Sequence, residues 1–182
     1  MRGCRLNRRR WSIGLGVVAI LVFVVALVIK ILPQIDLVGV GSQAPDFHAV
    51  DLATAKPVGI ADYRGKVLLV NIWATWCEPC RAEMPAIERL HHLVTDTSFR
   101  IVSVSIDKAD SGTVTAFARQ FGLTFPILQD QSGAIQDEYQ TTGVPESFIV
   151  DRQGKIMKKV IGAAEWDGPV NVQLIRSLLN GH

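Results

Sequence analysis

The sequence lacks a strong excess of charge of either sign, and it lacks internal repeats and low-complexity tracts. Its 182 residues carry 19 lysines and arginines against 17 aspartates and glutamates, a formal net charge of +2. This balance excludes the positive field that binding to phosphate backbones needs, so no nucleic-acid partner is expected. With 48% hydrophobic residues, the chain is also too apolar to be largely disordered. One soluble domain is therefore the simplest organisation of the body.

Charge is absent from one long stretch near the N terminus. The first ten residues contain five arginines and no acidic residue, and residues 11–29 contain no charged residue. As a helix rising about 1.5 Å per residue, this run would span roughly 28 Å, close to a hydrocarbon core of about 30 Å. Because the arginines precede the run, the positive-inside rule keeps the N terminus in the cytoplasm.

The sequence therefore predicts a basic cytoplasmic head at residues 1–10, a single-pass transmembrane signal anchor at 11–32, a linker at 33–45 and a domain at 46–182. A cleaved signal peptide is the alternative for the N-terminal segment. Against it, the apolar run is long for a signal peptide, and no small-residue cleavage site follows promptly. Cys4 would then lie on the cytoplasmic side as a free thiol.

The hydrophobic pattern of the body alternates between strands and helices. A buried strand is predicted at 67–73, followed by a helix at 78–94, a strand at 100–106, a helix at 111–121, a strand at 126–128, a helix at 134–139, a hairpin around the turn 152–154 and a last helix at 170–179. Such alternation with a terminal hairpin predicts an α/β fold with a mixed sheet.

The chemistry of the body is expected at Cys77 and Cys80, where the predicted strand becomes a helix. The free N–H groups and the dipole of a helix start stabilise a thiolate on Cys77. Cys80, one turn later, would resolve the mixed disulfide formed with a substrate. Pro79 suits the first helical turn, because its missing N–H costs nothing there. The carboxylate of Glu78 opposes the dipole, so we expect a modestly stabilised thiolate, which favours a reductant.

Two other uses of a Cys-x-x-Cys pair fit the sequence less well. A zinc site needs two further ligands, and the remaining candidates are scattered: Cys4, His48, His91, His92 and His182. A structural disulfide closing so short a loop would constrain the unfolded chain very little. No metal or other cofactor is therefore predicted.

Residues 71–85 (NIWATWCEPCRAEMP), together with Val144-Pro145 downstream, resemble the thioredoxin superfamily. Within it, the sequence is similar to membrane-anchored TlpA/ResA/CcmG-like thiol–disulfide oxidoreductases, from the motif APDF at residues 44–47 to the C terminus. The resemblance implies a thioredoxin-like fold, with a mixed central sheet flanked by helices and a TlpA-type insertion around residues 107–130.

The resemblance also implies roles for single residues. Val144-Pro145 matches the cis-proline beside the active site, where the preceding backbone can pair with a substrate strand. Glu83 matches an acid near the second cysteine that could accept its proton. Glu146 resembles an acid that follows the cis-proline. Trp76 would cover the disulfide and offer a flat docking surface. The alternatives are a simple turn proline at 145 and a solvated surface acid at 83.

Asn71 departs from plain thioredoxin, which carries a buried aspartate there that helps to deprotonate the second cysteine. The departure makes Glu83 the better proton acceptor. Trp73 is expected in the core. Residues 162–167 (GAAEWD) resemble TlpA-like sequences, but the sequence indicates no mechanism for them.

The resemblance implies a reductase of specific protein disulfides on the periplasmic side of a bacterial inner membrane. A membrane electron donor of the CcdA/DsbD type would re-reduce it. Its clients would be cysteine pairs of apocytochrome c or of copper-site proteins such as an oxidase subunit.

Other functions compete with this one: a dithiol oxidase or isomerase on the same fold, and a non-catalytic module that holds an apoprotein for cofactor insertion. The motif at 44–47 also suggests a peroxiredoxin. That chemistry wants a proline and a threonine or serine upstream of the reactive cysteine, and Val70 and Ala74 occupy those places.

Overall fold

The computed structural model describes residues 5–31 and 37–181, and the chain divides into two units after Asp36. The first unit contains helix α1, Arg5–Ile31. Within the described residues, no helix combines the length and the apolar character that crossing a membrane requires. Cys4 and residues 33–36 of the expected linker lie outside the described residues. The transmembrane anchor at 11–32 stays a prediction.

The second unit contains a mixed β-sheet and four α-helices within residues 37–181. The strands are β1 (Ala49–Asp51), β2 (Pro57–Val58), β3 (Val67–Trp73), β4 (Phe99–Ser105), β5 (Ile127–Gln129), β6 (Glu146–Val150) and β7 (Ile156–Ile161). The helices are α2 (Glu78–Leu93), α3 (Ser111–Gln120), α4 (Ala134–Glu138) and α5 (Pro169–Leu179), and a short 3-10 helix covers Ile60–Tyr63. The predicted α/β class is confirmed, and each predicted element is found within one residue of its expected bounds.

The strands are ordered β2-β1-β5-β4-β3-β6-β7 in the sheet. Strand β3 lies parallel to β4 and antiparallel to β6, and the β6–β7 hairpin continues antiparallel at that side. The segment predicted as an insertion, 107–130, contributes α3 and β5. Strand β5 lies parallel to β4 and antiparallel to β1, so this segment is built into the sheet.

The core lies on both faces of β3, whose seven residues are all buried. A strand that is covered on both faces has a continuous apolar sequence, which explains why β3 could be predicted from its sequence. Helix α2 packs one face against the core. The residues of this face are Cys80, Glu83, Met84, Ala86, Ile87 and Leu90. These positions recur at helical spacing, so the face that carries Cys80 and Glu83 is held in the interior.

Residues just before β1 also pack on the hairpin. The backbone N–H groups of Gly41 and Ala44 donate to the carbonyls of Ile156 and Gly154. The second unit therefore includes residues 37–45 of the expected linker as well as the body from Asp46.

Candidate active site

The two cysteines lie at the start of α2 and form a disulfide. Cys77 is the N-cap residue, and the backbone N–H of Cys80 donates to its Sγ at 3.2 Å. Pro79 occupies the first helical turn, where no N–H is needed. Cys77 is 5% exposed and Cys80 is 0% exposed. The helix start therefore offers a donor to the outer sulfur, as the sequence predicts, and Cys77 is the sulfur that an incoming thiol or disulfide reaches.

Glu78 is the exposed acid beside the pair. Its carboxylate lies 3.6 Å from Nε of Arg81, one turn along the helix. The guanidinium of Arg81 also lies over the rings of Phe117 and Phe121. The acid predicted to oppose the helix dipole is thus present in the first turn, with a cation close to it.

The turn before Cys77 is fastened to the end of β4 by Asp107, which is buried. The backbone N–H and the hydroxyl of Thr75 donate to the two carboxylate oxygens at 2.8 and 2.6 Å. The hydroxyl of Ser105 donates to the same carboxylate at 2.7 Å. This network fixes the residues that lead into the active-site turn, and sequence reasoning missed it.

Glu83 is buried on α2, three residues after Cys80, and is 2% exposed. Nδ2 of Asn71 donates to its Oε1 at 2.8 Å, and the indole N–H of Trp166 donates to its Oε2 at 3.1 Å. The backbone N–H of Ala164 donates to Oε2 at 3.3 Å. The alternative of a solvated surface acid is wrong.

Burial raises the pKa of Glu83 to about 7, because removing a carboxylate from water outweighs the three hydrogen bonds that favour the charged form. A group with this pKa both accepts and releases a proton near neutral pH. Residues three apart on a helix share one side, which places Glu83 on the side of Cys80.

Asn71 lies in the middle of β3 and is completely buried. Its Nδ2 donates to Ser147 Oγ at 2.9 Å as well as to Glu83. Its Oδ1 has no hydrogen-bond partner among the described residues. The position expected to differ from thioredoxin thus contacts the buried acid directly.

The peptide bond between Val144 and Pro145 is cis, as the resemblance implies. The carbonyl oxygen of Val144 lies 3.4 Å from Cys77 Sγ, so this loop borders the outer sulfur. The alternative of a simple turn proline is wrong. Trp76, at 69% exposure, presents a large apolar surface just before Cys77, whereas Trp73 is fully buried in the core, as expected.

Glu146 is fully buried directly after the cis-proline. It accepts a hydrogen bond from the backbone N–H of Thr142 at 3.1 Å, and Nζ of Lys159 lies 2.8 Å from its other oxygen. These contacts join the segment before the cis-proline to β7. Glu146 therefore supports the cis-proline loop from inside.

The segment 162–168, between β7 and α5, reaches the site from the far end of the sequence. Sequence reasoning singled out part of it but found no mechanism. The structure shows its Trp166 and Ala164 bonded to Glu83. The sequence feature that could have indicated a role for this segment is a tryptophan in a loop between a hairpin and a helix.

Comparison with known proteins places this site in a family. Residues 40–159 match the AhpC/TSA family. The chain is 38% identical over 125 residues to the thiol-disulfide oxidoreductase ResA of Geobacillus thermodenitrificans, covering 69% of this chain and 71% of that protein. It is 41% identical over 124 residues to the thioredoxin-like protein YneN of Bacillus subtilis, covering 67% and 71%.

The fold is also similar to solved structures. The solution structure of a thiol:disulfide interchange protein from Bacteroides matches with a TM-score of 0.67 and 25% identity, covering 80% of this chain and 95% of that one. The fold of residues 37–181 is thus thioredoxin-like. Given these relatives and the Cys77–Cys80 pair, the chain belongs to the AhpC/TSA family and is an enzyme of the ResA type, a thiol-disulfide oxidoreductase.

Proposed function

We propose that this enzyme reduces specific protein disulfides, with Cys77 as the attacking sulfur, Cys80 as the resolving sulfur and Glu83 as the proton acceptor for Cys80. The observation that carries the proposal is the buried carboxyl of Glu83, on the Cys80 side of α2, with a pKa of about 7. A base of this strength takes a thiol proton at neutral pH without being permanently charged in the core.

The reduced enzyme starts the reaction. The Cys77 thiolate, stabilised by the Cys80 N–H, attacks one sulfur of a substrate disulfide. The substrate S–S bond breaks, a mixed disulfide forms, and one substrate thiolate leaves and takes a proton from water.

Resolution then needs the second cysteine. The Cys80 thiol gives its proton to the Glu83 carboxylate, and its sulfur attacks Cys77 Sγ. The mixed disulfide breaks, the Cys77–Cys80 disulfide forms, and the second substrate thiolate leaves. Glu83 releases its proton to that thiolate or to water. Two electrons pass from the enzyme to the substrate, which leaves the oxidised form seen in the structure.

The reductive direction is supported by the first turn of α2. The thiolate of a strong oxidant is heavily stabilised, which makes its disulfide easy to reduce. Here the N–H donor to Cys77 is accompanied by the carboxylate of Glu78 in the same turn. A less stabilised thiolate gives up electrons more readily, which suits a reductase.

The clients we propose are cysteine pairs of apocytochrome c or of copper-site proteins, and the proposed electron source is a membrane donor of the CcdA/DsbD type. The resemblance to TlpA/ResA/CcmG-like proteins supports both. The exposed ring of Trp76, which precedes Cys77 in the chain, and the half-buried Val144, whose carbonyl oxygen lies 3.4 Å from Cys77 Sγ, supply the apolar surface on which an unfolded client segment would dock.

We propose further that residues 11–32 anchor the protein in the bacterial inner membrane, with the N terminus in the cytoplasm and the catalytic unit on the periplasmic side. The uncharged run at 11–29 and the arginines before it support this.

Labelling of Cys4 tests this topology. In spheroplasts, a membrane-impermeant maleimide should label Cys77 of a Cys80→Ser variant after impermeant reduction. Cys4, left alone in a Cys77→Ser/Cys80→Ser variant, should be labelled only after permeabilisation. Labelling of Cys4 from outside would reverse the topology, and loss of Cys4 from the mature protein would indicate a cleaved signal.

The reaction is tested by trapping. In a Cys4→Ser background, Cys80→Ala should accumulate mixed disulfides with client proteins through Cys77, because the resolving sulfur is missing. The matched control, Cys77→Ala, should accumulate none. Trapping through Cys80 in the control, or none in either variant, would contradict the assigned roles.

A further inference from the structure

The loop at residues 162–168 contacts the cis-proline loop, the buried acid Glu83 and the later part of α2. The backbone N–H of Gly162 donates to the carbonyl oxygen of Pro145 at 2.8 Å, at the cis-proline loop. Trp166 and Ala164 donate to Glu83, and the carboxylate of Asp167 lies 2.6 Å from Nε of Arg89, farther along α2. One short segment is therefore fastened to the cis-proline loop, to the buried acid and to the helix that carries both cysteines.

We propose that this loop is a positioning element for Glu83, and that Trp166 fixes which carboxylate oxygen carries the proton and how readily it is released. The proposal rests on the proposed function, in which Glu83 exchanges a proton with Cys80. Trp166 acts on the reaction only through Glu83, to which its indole N–H donates.

The two oxygens of Glu83 have different surroundings. Oε2 accepts two N–H groups from the loop, those of Trp166 and Ala164. A proton on Oε2 would point at these donors, which have no lone pair to accept it. Oε1 faces only an amide side chain, that of Asn71, among the bonds the structure records. Rotation of that amide would present its oxygen, which lacks a donor, to a protonated Oε1. The loop thus directs the proton to the β3 side of the carboxyl.

Trp166 is suited to a fixed role. Its side chain is completely buried, so its indole N–H is held in place by packing on all sides. The Arg89–Asp167 pair lies at a more exposed position and holds the adjacent residue of the loop on α2. The donor is therefore aligned before the reaction begins, and Glu83 does not need to reorganise its surroundings when its charge changes.

Other ionisable groups face the site from each packed element. On α2 the neighbour is Cys80. Side chains alternate along a strand, so on β7 the ionisable residue on the Ser147 side of the sheet is Lys158, whose Nζ donates to Oδ1 of Asn171. In the loop, Asp167 is paired with Arg89. None of these charges contributes to the raised pKa of Glu83, which burial raises and the bonds from Asn71, Trp166 and Ala164 lower.

The test compares two buried tryptophans in the full-length oxidised protein. Trp166→Phe removes the N–H donor and keeps an aromatic ring. Trp73→Phe is the matched control, because Trp73 is equally buried and its indole nitrogen has no hydrogen-bond partner among the described residues. The readout is the pH midpoint of the infrared carboxyl band of Glu83, identified as the band that Glu83→Gln removes.

Loss of a donor to the charged form should raise the midpoint of Trp166→Phe by about one pH unit. Trp73→Phe should leave it unchanged. An unshifted midpoint in Trp166→Phe, or an equal shift in both variants, overturns the proposal. If Trp166→Phe does not fold, Arg89→Gln replaces it in the test. This variant breaks the Arg89–Asp167 ion pair that holds the loop on α2, so the midpoint of Glu83 should again rise.

A second readout separates this proposal from the proposed function. The pH–rate profile for release of a model disulfide from Cys77 should shift with the infrared midpoint. A shifted midpoint with an unshifted rate profile keeps the loop as the element that positions Glu83 but removes Glu83 from the reaction. An unshifted midpoint contradicts the role of the loop, whatever the rate profile shows.

Discussion

The buried carboxyl of Glu83 and the buried amide of Asn71 meet at 2.8 Å between α2 and β3. An amide has a donor end and an acceptor end, so it can serve both protonation states of the carboxyl by rotating. An aspartate at position 71 would place two carboxylates side by side, which disfavours ionisation of one of them. The exchange of aspartate for asparagine therefore leaves Glu83 as the buried acid that titrates near neutral pH.

Glu83 should make the stability of the protein fall as pH rises. Its pKa is raised from 4.5 to about 7 in the folded protein, so the native state binds more protons than the unfolded chain between these values. The stability that its neutral form provides is fully present below about pH 4.5 and is lost as pH rises to about 7 and beyond. Glu83→Gln removes this titration, and rotation of the Asn71 amide can satisfy the new side chain.

The free energy of unfolding of Glu83→Gln, measured relative to that of wild type, should therefore rise by roughly 3 kcal/mol between acid and neutral pH. Denaturant unfolding at pH 4.5 and pH 8 measures this difference. Parallel pH dependence in the two proteins would contradict the raised pKa. The same variant should slow resolution of mixed disulfides, because Cys80 then lacks the proton acceptor that we propose.

At the scale of elements, the active-site turn depends on the end of β4 as well as on α2. Asp107→Ala would leave the N–H of Thr75 without its acceptor, at a cost of about 1–3 kcal/mol. Because Thr75 leads into Cys77, alkylation of reduced Cys77 by iodoacetamide should also slow several-fold.

The matched control is Asp110→Ala. Asp110 caps α3 by accepting the N–H groups of Gly112 and Thr113, and losing such a cap costs about 1 kcal/mol. It should destabilise the domain and leave the alkylation rate unchanged. Equal slowing in both variants would mean that Asp107 acts only through general stability.

The sequence predicted those elements whose pattern is local. Strand β3 is a continuous apolar run, and α2 repeats its buried residues at helical spacing, so the bounds of β3 were predicted as observed and those of α2 to within one residue. Strands β1 and β2 have three and two residues, too few to show a period, and they form only because β5 provides a partner for β1.

In the active site, too, the residues that lie in local sequence motifs were predictable. Cys77, Cys80 and Pro145 lie in short motifs, and Glu83 follows Cys80 at helical spacing. The bond between Trp166 and Glu83 joins residues 83 positions apart and depends on the placement of the loop after β7. Likewise, Asp107 reaches Thr75 only because β3 and β4 end side by side. No local pattern carries either contact.

At the scale of the whole molecule, the structure shows the enzyme in its oxidised form. A reductase in this state has delivered its two electrons and must receive two more before it acts again. The proposed anchor at residues 11–32 would keep it beside a membrane donor. The direction of electron flow is thus the central claim, and it is a property of the complete Cys77–Cys80 couple.

The measurement that tests this claim most directly is the reduction potential of the Cys77–Cys80 couple in the full-length Cys4→Ser protein, equilibrated against a thiol buffer. We predict a value near or below about −230 mV, towards the thioredoxin and glutaredoxin range, because Glu78 limits the stabilisation of the Cys77 thiolate. A value near about −120 mV, typical of a strong dithiol oxidant, would contradict the account and assign the opposite direction of electron flow.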